Sequence, residues 1–180
     1  MRDLEDRLRR VRFIVCDVDG VLTDGQVGFD GEGRQVRSVH VRDVTALNLW
    51  RLAGGLSALV TGLGSKAVET IAARWKCAEC RMWVRDKGAV CREIAERHGI
   101  PLDDMAFIGD DLIDLTALRI VGLGVAVSDA APEAKAAAHL VTDAPGGNGA
   151  VRELVQRILE AQGRFEEVLE TYCNRANTTQ

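Results

Sequence analysis

The chain has no uncharged run long enough to cross a bilayer. The two longest, Leu52 to Ser65 and Ile120 to Ser128, are interrupted by glycines and fall short of the roughly 20 apolar residues that a membrane helix needs. It also lacks an excess of basic charge: 23 lysines and arginines against 27 acidic residues leave −4, no electrostatic footprint for nucleic acid or an anionic membrane. No apolar segment follows the alternating arginines and acids of Met1 to Arg12, so this stretch reads as a solvated face, neither secretory leader nor nucleic-acid arm, and the expected location is the cytoplasm. Cysteines are few and odd in number, five between Cys16 and Cys173, which argues for reduced thiols and against a disulfide framework. A hydrophobic share of 47% with 28% charged residues excludes disordered, collagen-like and coiled-coil chains. Without internal repeat or linker, 180 residues predict a single domain over 1–180, with a hairpin flap at about 26–41 and a C-terminal helix and tail at about 149–180.

What is present is an alternation. Phe13 to Cys16 is a short apolar run stopped by Asp17 to Gly20, and Leu56 to Val60, Met82 to Val84, Met105 to Ile108 and Gly124 to Val127 repeat the pattern of short buried strands. Between them, Val68, Ile71, Ala72 and Trp75 fall at helical spacing, as do Val90, Cys91, Ile94 and Ala95, with Gly99 and Pro101 as a stop. Strand and helix in turn predict an α/β fold, a doubly wound parallel sheet of Rossmann type. Gln26 to Phe29 and Gln35 to Val41, joined by Asp30-Gly31-Glu32-Gly33, predict a β-hairpin after the first strand. A last helix carries Val151, Leu154, Val155, Ile158 and Leu159, and Asn174 to Gln180 is expected to fray.

In open parallel sheets ligands bind beyond the carboxyl ends of the strands. Here those ends carry Asp17-Val18-Asp19-Gly20, Thr61-Gly62, Asp86-Lys87 and Gly109-Asp110-Asp111, with Asp114 three residues on. Converging carboxylates repel unless a hard cation sits among them, and Mg²⁺ prefers a few carboxylate oxygens with water and phosphate. The candidate metal ligands are Asp17, Asp19 and Asp110, supported by Asp111 and Asp114. Asp17 can attack phosphorus and form an acyl-phosphate, while Asp19 can protonate the leaving alkoxide and then activate water. Thr61, Gly62 and Lys87 are placed to hold the phosphoryl oxygens.

Those four motifs, in that order, resemble the haloacid dehalogenase superfamily of phosphohydrolases. The run from Asp17 to Gly25, the hairpin, His40-Val41-Arg42-Asp43, Val84-Arg85-Asp86-Lys87 and the stretch Pro145 to Glu153 are similar to its 3-deoxy-manno-octulosonate 8-phosphate phosphatases, over roughly residues 11–163. The resemblance implies a Mg²⁺-dependent sugar-phosphate phosphatase without a mobile cap domain. It also implies a homotetramer in which the hairpin of one subunit closes over a neighbour's site, and makes His40, Arg42 and Asp43 candidates for the substrate loop. The alternatives are a nonulosonate 9-phosphate or another sugar phosphate as substrate, or a degenerate regulatory member. The chain departs from the family pattern at Leu63 and Ala144, where arginine is usual, at Val44-Thr45-Ala46, where a glycine-leucine-glycine stretch is usual, and at Ile113, where asparagine is usual. A guanidinium suits a carboxylate, so the lost arginines bear on the acidic sugar more than on phosphate chemistry.

Other readings compete. Gly62-Leu63-Gly64-Ser65-Lys66-Ala67 fits a dinucleotide fingerprint variant but leaves the aspartates unexplained. Cys77 and Cys80, with Cys91 or His98, could form a zinc site; the bland reading is free thiols. A lone histidine such as His40 in a strand is more often structural, and His98 and His139 read as surface positions. Phosphorylation-regulated receivers use similar residue types, but there the acid pair precedes the phospho-accepting aspartate, whereas Asp17-Val18-Asp19 opens this chain.

Overall fold

The computed structural model describes residues 3–177. A short helix α1 (Leu4–Arg10) leads into β1 (Phe13–Cys16), whose four side chains are all buried. A hairpin of β2 (Gly28–Phe29) and β3 (Gln35–Val36) follows, then α2 (Val41–Leu52), β4 (Leu56–Val60), α3 (Lys66–Arg74), β5 (Glu79–Arg81) and α4 (Lys87–His98). The second half comprises β6 (Met105–Gly109), α5 (Leu115–Leu118), β7 (Leu123–Ala126), α6 (Pro132–Ala137), β8 (Leu140–Val141), α7 (Ala150–Ala161) and α8 (Phe165–Asn177). The main sheet is parallel throughout, in the order β5-β4-β1-β6-β7-β8, and β2 and β3 pair separately and antiparallel.

The fold class is as expected: a doubly wound sheet with a hairpin after the first strand and no cap domain evident among the described residues. β1 lies between β4 and β6, paired along Leu59, Phe107 and Ile108, all fully buried, so the loop leaving it starts from the close-packed centre of the sheet. Helix starts are set by side chains: Ser65 accepts from the Val68 amide and Asp86 from the Ala89 amide, while Gly99 ends α4 in the left-handed conformation.

The structure corrects several local expectations. The third strand is Glu79–Arg81, not Met82–Val84. It is an edge strand, half-buried and correspondingly polar; beyond it the Val84 amide closes onto the Thr61 carbonyl, and Trp83, at φ 60°, takes the chain out of extended geometry. The hairpin ladder ends at Val36, and Val41 opens a helix with His40 as its N-cap, the ring Nδ1 accepting from the Arg42 amide. His40 is therefore a cap and not a strand residue. α2 buries Ala46, Leu47, Leu49 and Trp50 and packs on α7. α8 carries helix through Asn174 to Asn177; the remainder of the expected frayed tail, 178–180, lies outside the described residues, as do residues 1–2. His98 is half-buried, its Nε2 2.9 Å from Glu79 Oε1 and its ring against Phe13. No helix among the described residues is long and apolar enough to cross a membrane.

Candidate active site

Three strand ends and one helix start deliver the site. β1 ends at Cys16, so Asp17 is the first residue past it; its amide bonds the Ile108 carbonyl and its side chain is buried. β4 delivers Thr61, α4 begins with Lys87, and β6 ends one residue before Asp110. With Asp19, Gly25, Gly62, Leu63, Asp111 and Ile113 they line a cavity of about 340 Å³. A larger cavity of about 590 Å³ opens at the opposite, amino-terminal edge of the sheet, among Arg9, Arg10, Arg12 and Arg164, and holds no converging carboxylates.

Lys87 organises the floor. Its Nζ is buried 2.8 Å from Asp17 Oδ1 and 2.6 Å from Asp114 Oδ1. Asp114 is itself saturated: its Oδ2 accepts the amides of Asp110 and Asp111 at 2.8 and 3.2 Å. Burial works against the charge of Lys87, but Asp17 and Asp114 outweigh it and the ammonium is stabilised. Burial lifts the Asp17 carboxyl well above the usual range, with Lys87 opposing and Asp114 reinforcing the shift. Burial, then the charge of Asp114, pushes Asp110 up to about 6.

Carboxylate oxygens of Asp17, Asp110 and Asp114 lie within 4.8 Å of one another, a cluster able to hold a metal ion. Two observations fit a divalent cation. Asp17 Oδ1 is paired with Lys87 alone and accepts no hydrogen bond from any other described group. Burial first, with the charge of Asp114 adding to it, raises both carboxyls, a penalty on their charged forms that a cation would relieve. Since Asp114 is already committed to Lys87 and two amides, Asp17 and Asp110 are the carboxylates free to bind. Asp19, expected among the metal ligands, turns its carboxylate away from this cluster: Oδ1 accepts from Arg37 Nε at 2.6 Å and Oδ2 lies 3.0 Å from Thr61 Oγ1.

Close packing fixes the surrounding loops. A Cβ on Gly20, at φ 86°, would stand 2.0 Å from Asp110 Oδ2, so only glycine lets the two acidic loops meet. One on Gly146 would stand 1.8 Å from the Gly20 carbonyl, and the Gly147 amide bonds the Val21 carbonyl, so Pro145 to Gly149 buttresses the Asp17 loop. Asp111, at the rim of the cavity, caps the short turn Leu112–Asp114.

Other expected site residues are placed elsewhere. Asp43 is fully buried and accepts the amides of Gly149 and Arg152 at 3.1 and 2.8 Å, capping α7. Arg42 lines a separate groove with Ala144, Asn148 and Arg152. None of His40, Arg42 and Asp43 lines the Asp17 cavity of this chain, because the helix beginning at Val41 turns Asp43 toward α7. Arg37, which the sequence reading did not single out, is at the site with its side chain fully buried; nothing in its neighbourhood distinguishes it from the other hairpin arginine, Arg34. Gly64 of the dinucleotide-like stretch seats the Trp83 indole, whose ring would lie 2.4 Å from an added Cβ. Cys77 and Cys80 belong to no three-residue metal-ligand cluster among the described residues, and burial pushes Cys77 up to about 11.

The site thus gathers three carboxylates around a buried lysine at the carboxyl ends of parallel strands. A family model described as haloacid dehalogenase-like hydrolase matches residues 63–154. The 3-deoxy-D-manno-octulosonate 8-phosphate phosphatase of Haemophilus influenzae is 34% identical over 161 residues, covering 89% of each chain. The crystal structure of the corresponding phosphatase from Moraxella catarrhalis, in complex with a magnesium ion, a phosphate ion and a KDO molecule, superposes with a TM-score of 0.91 at 32% identity, over 93% of this chain and 97% of that one. The cobalt-bound form of the Haemophilus influenzae enzyme gives 0.85 at 34% identity, over 88% of this chain and 93% of that one. The chain belongs to the haloacid dehalogenase-like hydrolases. Within them it is a phosphatase, similar to the octulosonate 8-phosphate enzymes.

Proposed function

We propose that this protein is a Mg²⁺-dependent phosphomonoesterase that hydrolyses a small sugar phosphate, first of all 3-deoxy-D-manno-octulosonate 8-phosphate, through an aspartyl-phosphate at Asp17. The observation that carries this is the buried Asp17 carboxylate at a strand end, paired through Oδ1 with Lys87 at 2.8 Å and within 4.8 Å of the Asp110 carboxylate. Asp17 and Asp110 would hold the ion, which when bound supplies positive charge to the phosphoryl group and to the carboxylate that approaches it. Asp17 attacks phosphorus and the ester oxygen departs with a proton from Asp19. Asp19 then takes a proton from water, which attacks the acyl-phosphate and frees Asp17. Thr61 and Lys87 stabilise the phosphoryl oxygens as charge develops.

The substrate assignment is supported by relatives that carry this name over most of their length. Leu63 and Ala144 favour a second candidate, a nonulosonate 9-phosphate or another sugar phosphate, because arginines able to pair with a sugar carboxylate are missing there. In this reading the enzyme is a cytoplasmic single-domain subunit of a homotetramer, its hairpin tip reaching a neighbouring site. Phe29 and Val36, 66% and 52% exposed on that hairpin, are apolar surface such a neighbour would cover. Phosphate release from a panel of sugar phosphates, with Mg²⁺ and with EDTA, tests the proposal. Metal-dependent release favouring the octulosonate ester supports it, and preference for another ester transfers the assignment to that substrate. Release from none contradicts phosphatase activity on sugars.

A further inference from the structure

We propose that Arg37 is a positioning residue for Asp19, so that the hairpin of each subunit contributes to its own active site. This rests on the proposed role of Asp19 as the proton donor to the leaving group. The hairpin is joined by two residue pairs, too few to hold a two-stranded element in place unaided. Its second arm nevertheless sends the guanidinium of Arg37 inward until the side chain has no exposed surface.

There the guanidinium meets both oxygens of Asp19, Nε at 2.6 Å from Oδ1 and Nη2 at 3.5 Å from Oδ2. Nη1 donates to Gln35 Oε1 and Ser65 Oγ, each at 2.7 Å. Ser65 is the N-cap of α3, so one side chain ties the hairpin, the loop after β1 and the start of α3 together. Burying an arginine is costly unless its donors are met, and here they are met by the charged Asp19 together with Gln35 and Ser65.

The consequence concerns direction. Asp19 has one further side-chain contact, Thr61 Oγ1 at 3.0 Å from Oδ2. Arg37 and Thr61 together fix both oxygens at the mouth of the cavity, turned from the Asp17 and Asp110 carboxylates. A carboxyl held there can face an ester oxygen leaving phosphorus in line with Asp17. Released from Arg37, it can rotate, and proton delivery weakens although phosphate binding by Thr61 and Lys87 persists. A planar fork makes this set of contacts, whereas a lysine could keep the charge but not the simultaneous reach to Asp19 and Ser65.

Leaving-group dependence separates this role from mere support of the hairpin. An aryl phosphate with an acidic phenol departs without a proton, and an alkyl sugar phosphate does not. With kcat/KM measured on both esters, Arg37→Gln should lose about tenfold or more on the sugar phosphate and markedly less on the aryl ester. Arg37→Lys should recover part of the loss, with the same selectivity for the alkyl ester, and it carries the test if Arg37→Gln melts early. Equal losses on both esters, or none, overturn the proposal. Asp19→Asn in parallel tests the reading beneath it: a loss without leaving-group selectivity there refutes Asp19 as the proton donor, and a selective loss there with none in the Arg37 variants refutes only the positioning role.

Discussion

Lys87 Nζ lies 2.6 Å from Asp114 Oδ1, with both side chains removed from solvent, and Asp114 in turn holds the amides of Asp110 and Asp111. The pair thus couples α4 to the loop that presents Asp110. Replacing Lys87 with methionine leaves Asp17 and Asp114 buried without their cation. Such a change costs roughly 3–5 kcal/mol, and urea unfolding should show it together with loss of phosphatase activity. A fully stable, active Lys87→Met protein would remove the ion pair from the account.

Metal affinity should rise with pH. Asp17 and Asp110 both have folded pKa values raised above the unfolded value of 3.8, Asp110 to about 6. Between 3.8 and about 6 the folded metal-free protein holds a proton on Asp110 that the unfolded chain has lost, so Asp110 favours folding in acid and that contribution is lost as pH rises through about 6, with Asp17 acting in the same direction. A divalent cation needs the ionised carboxylates and relieves the penalty. The increase in Tm on adding Mg²⁺ is therefore expected to be small near pH 5 and to grow until about pH 7. A thermal-shift series against pH checks this, and a pH-independent increment would contradict the assignment of Asp17 and Asp110 as ligands.

Gly20→Ala tests the contact between the two acidic loops. The new methyl would be 2.0 Å from Asp110 Oδ2 at a backbone φ of 86°. We expect a destabilisation of about 1–3 kcal/mol and Mg²⁺ binding weakened about tenfold or more in calorimetric titration, because Asp110 is displaced. Unchanged affinity would mean that Asp110 does not bind the ion.

Asp43 supports the fold, in contrast to its expected place in the substrate loop. Asp43→Ala strands the amides of Gly149 and Arg152 and should lower stability by roughly 2–3 kcal/mol, and Asp43→Asn, which keeps a carbonyl oxygen, by less. Denaturant unfolding of the two variants measures the difference. If both fold as well as the parent but fail to turn over substrate, Asp43 acts in catalysis after all.

The parts of the site that were legible are those delivered by buried strands. Asp17, Thr61 and Asp110 each follow a run of apolar residues, so the stop of the run marks the strand end where an open sheet binds ligands. Glu79–Arg81 escaped because an edge strand in contact with solvent is polar, and the more apolar Met82 to Val84 beside it drew the assignment. α2 was hidden by valine and threonine at Val41, Val44 and Thr45, which favour extended chain locally; packing of Leu47 and Trp50 overrides that preference. Arg37 could not be found from its neighbours in sequence, since its partners Asp19 and Ser65 are 18 and 28 positions away.

The central claim is covalent chemistry at Asp17. Rapid quenching of the enzyme with Mg²⁺ and a sugar phosphate labelled in its phosphoryl group should trap label on the peptide bearing Asp17, released by hydroxylamine as expected for an acyl-phosphate and absent in Asp17→Asn. Label on another residue, or full turnover in Asp17→Asn, would contradict the account.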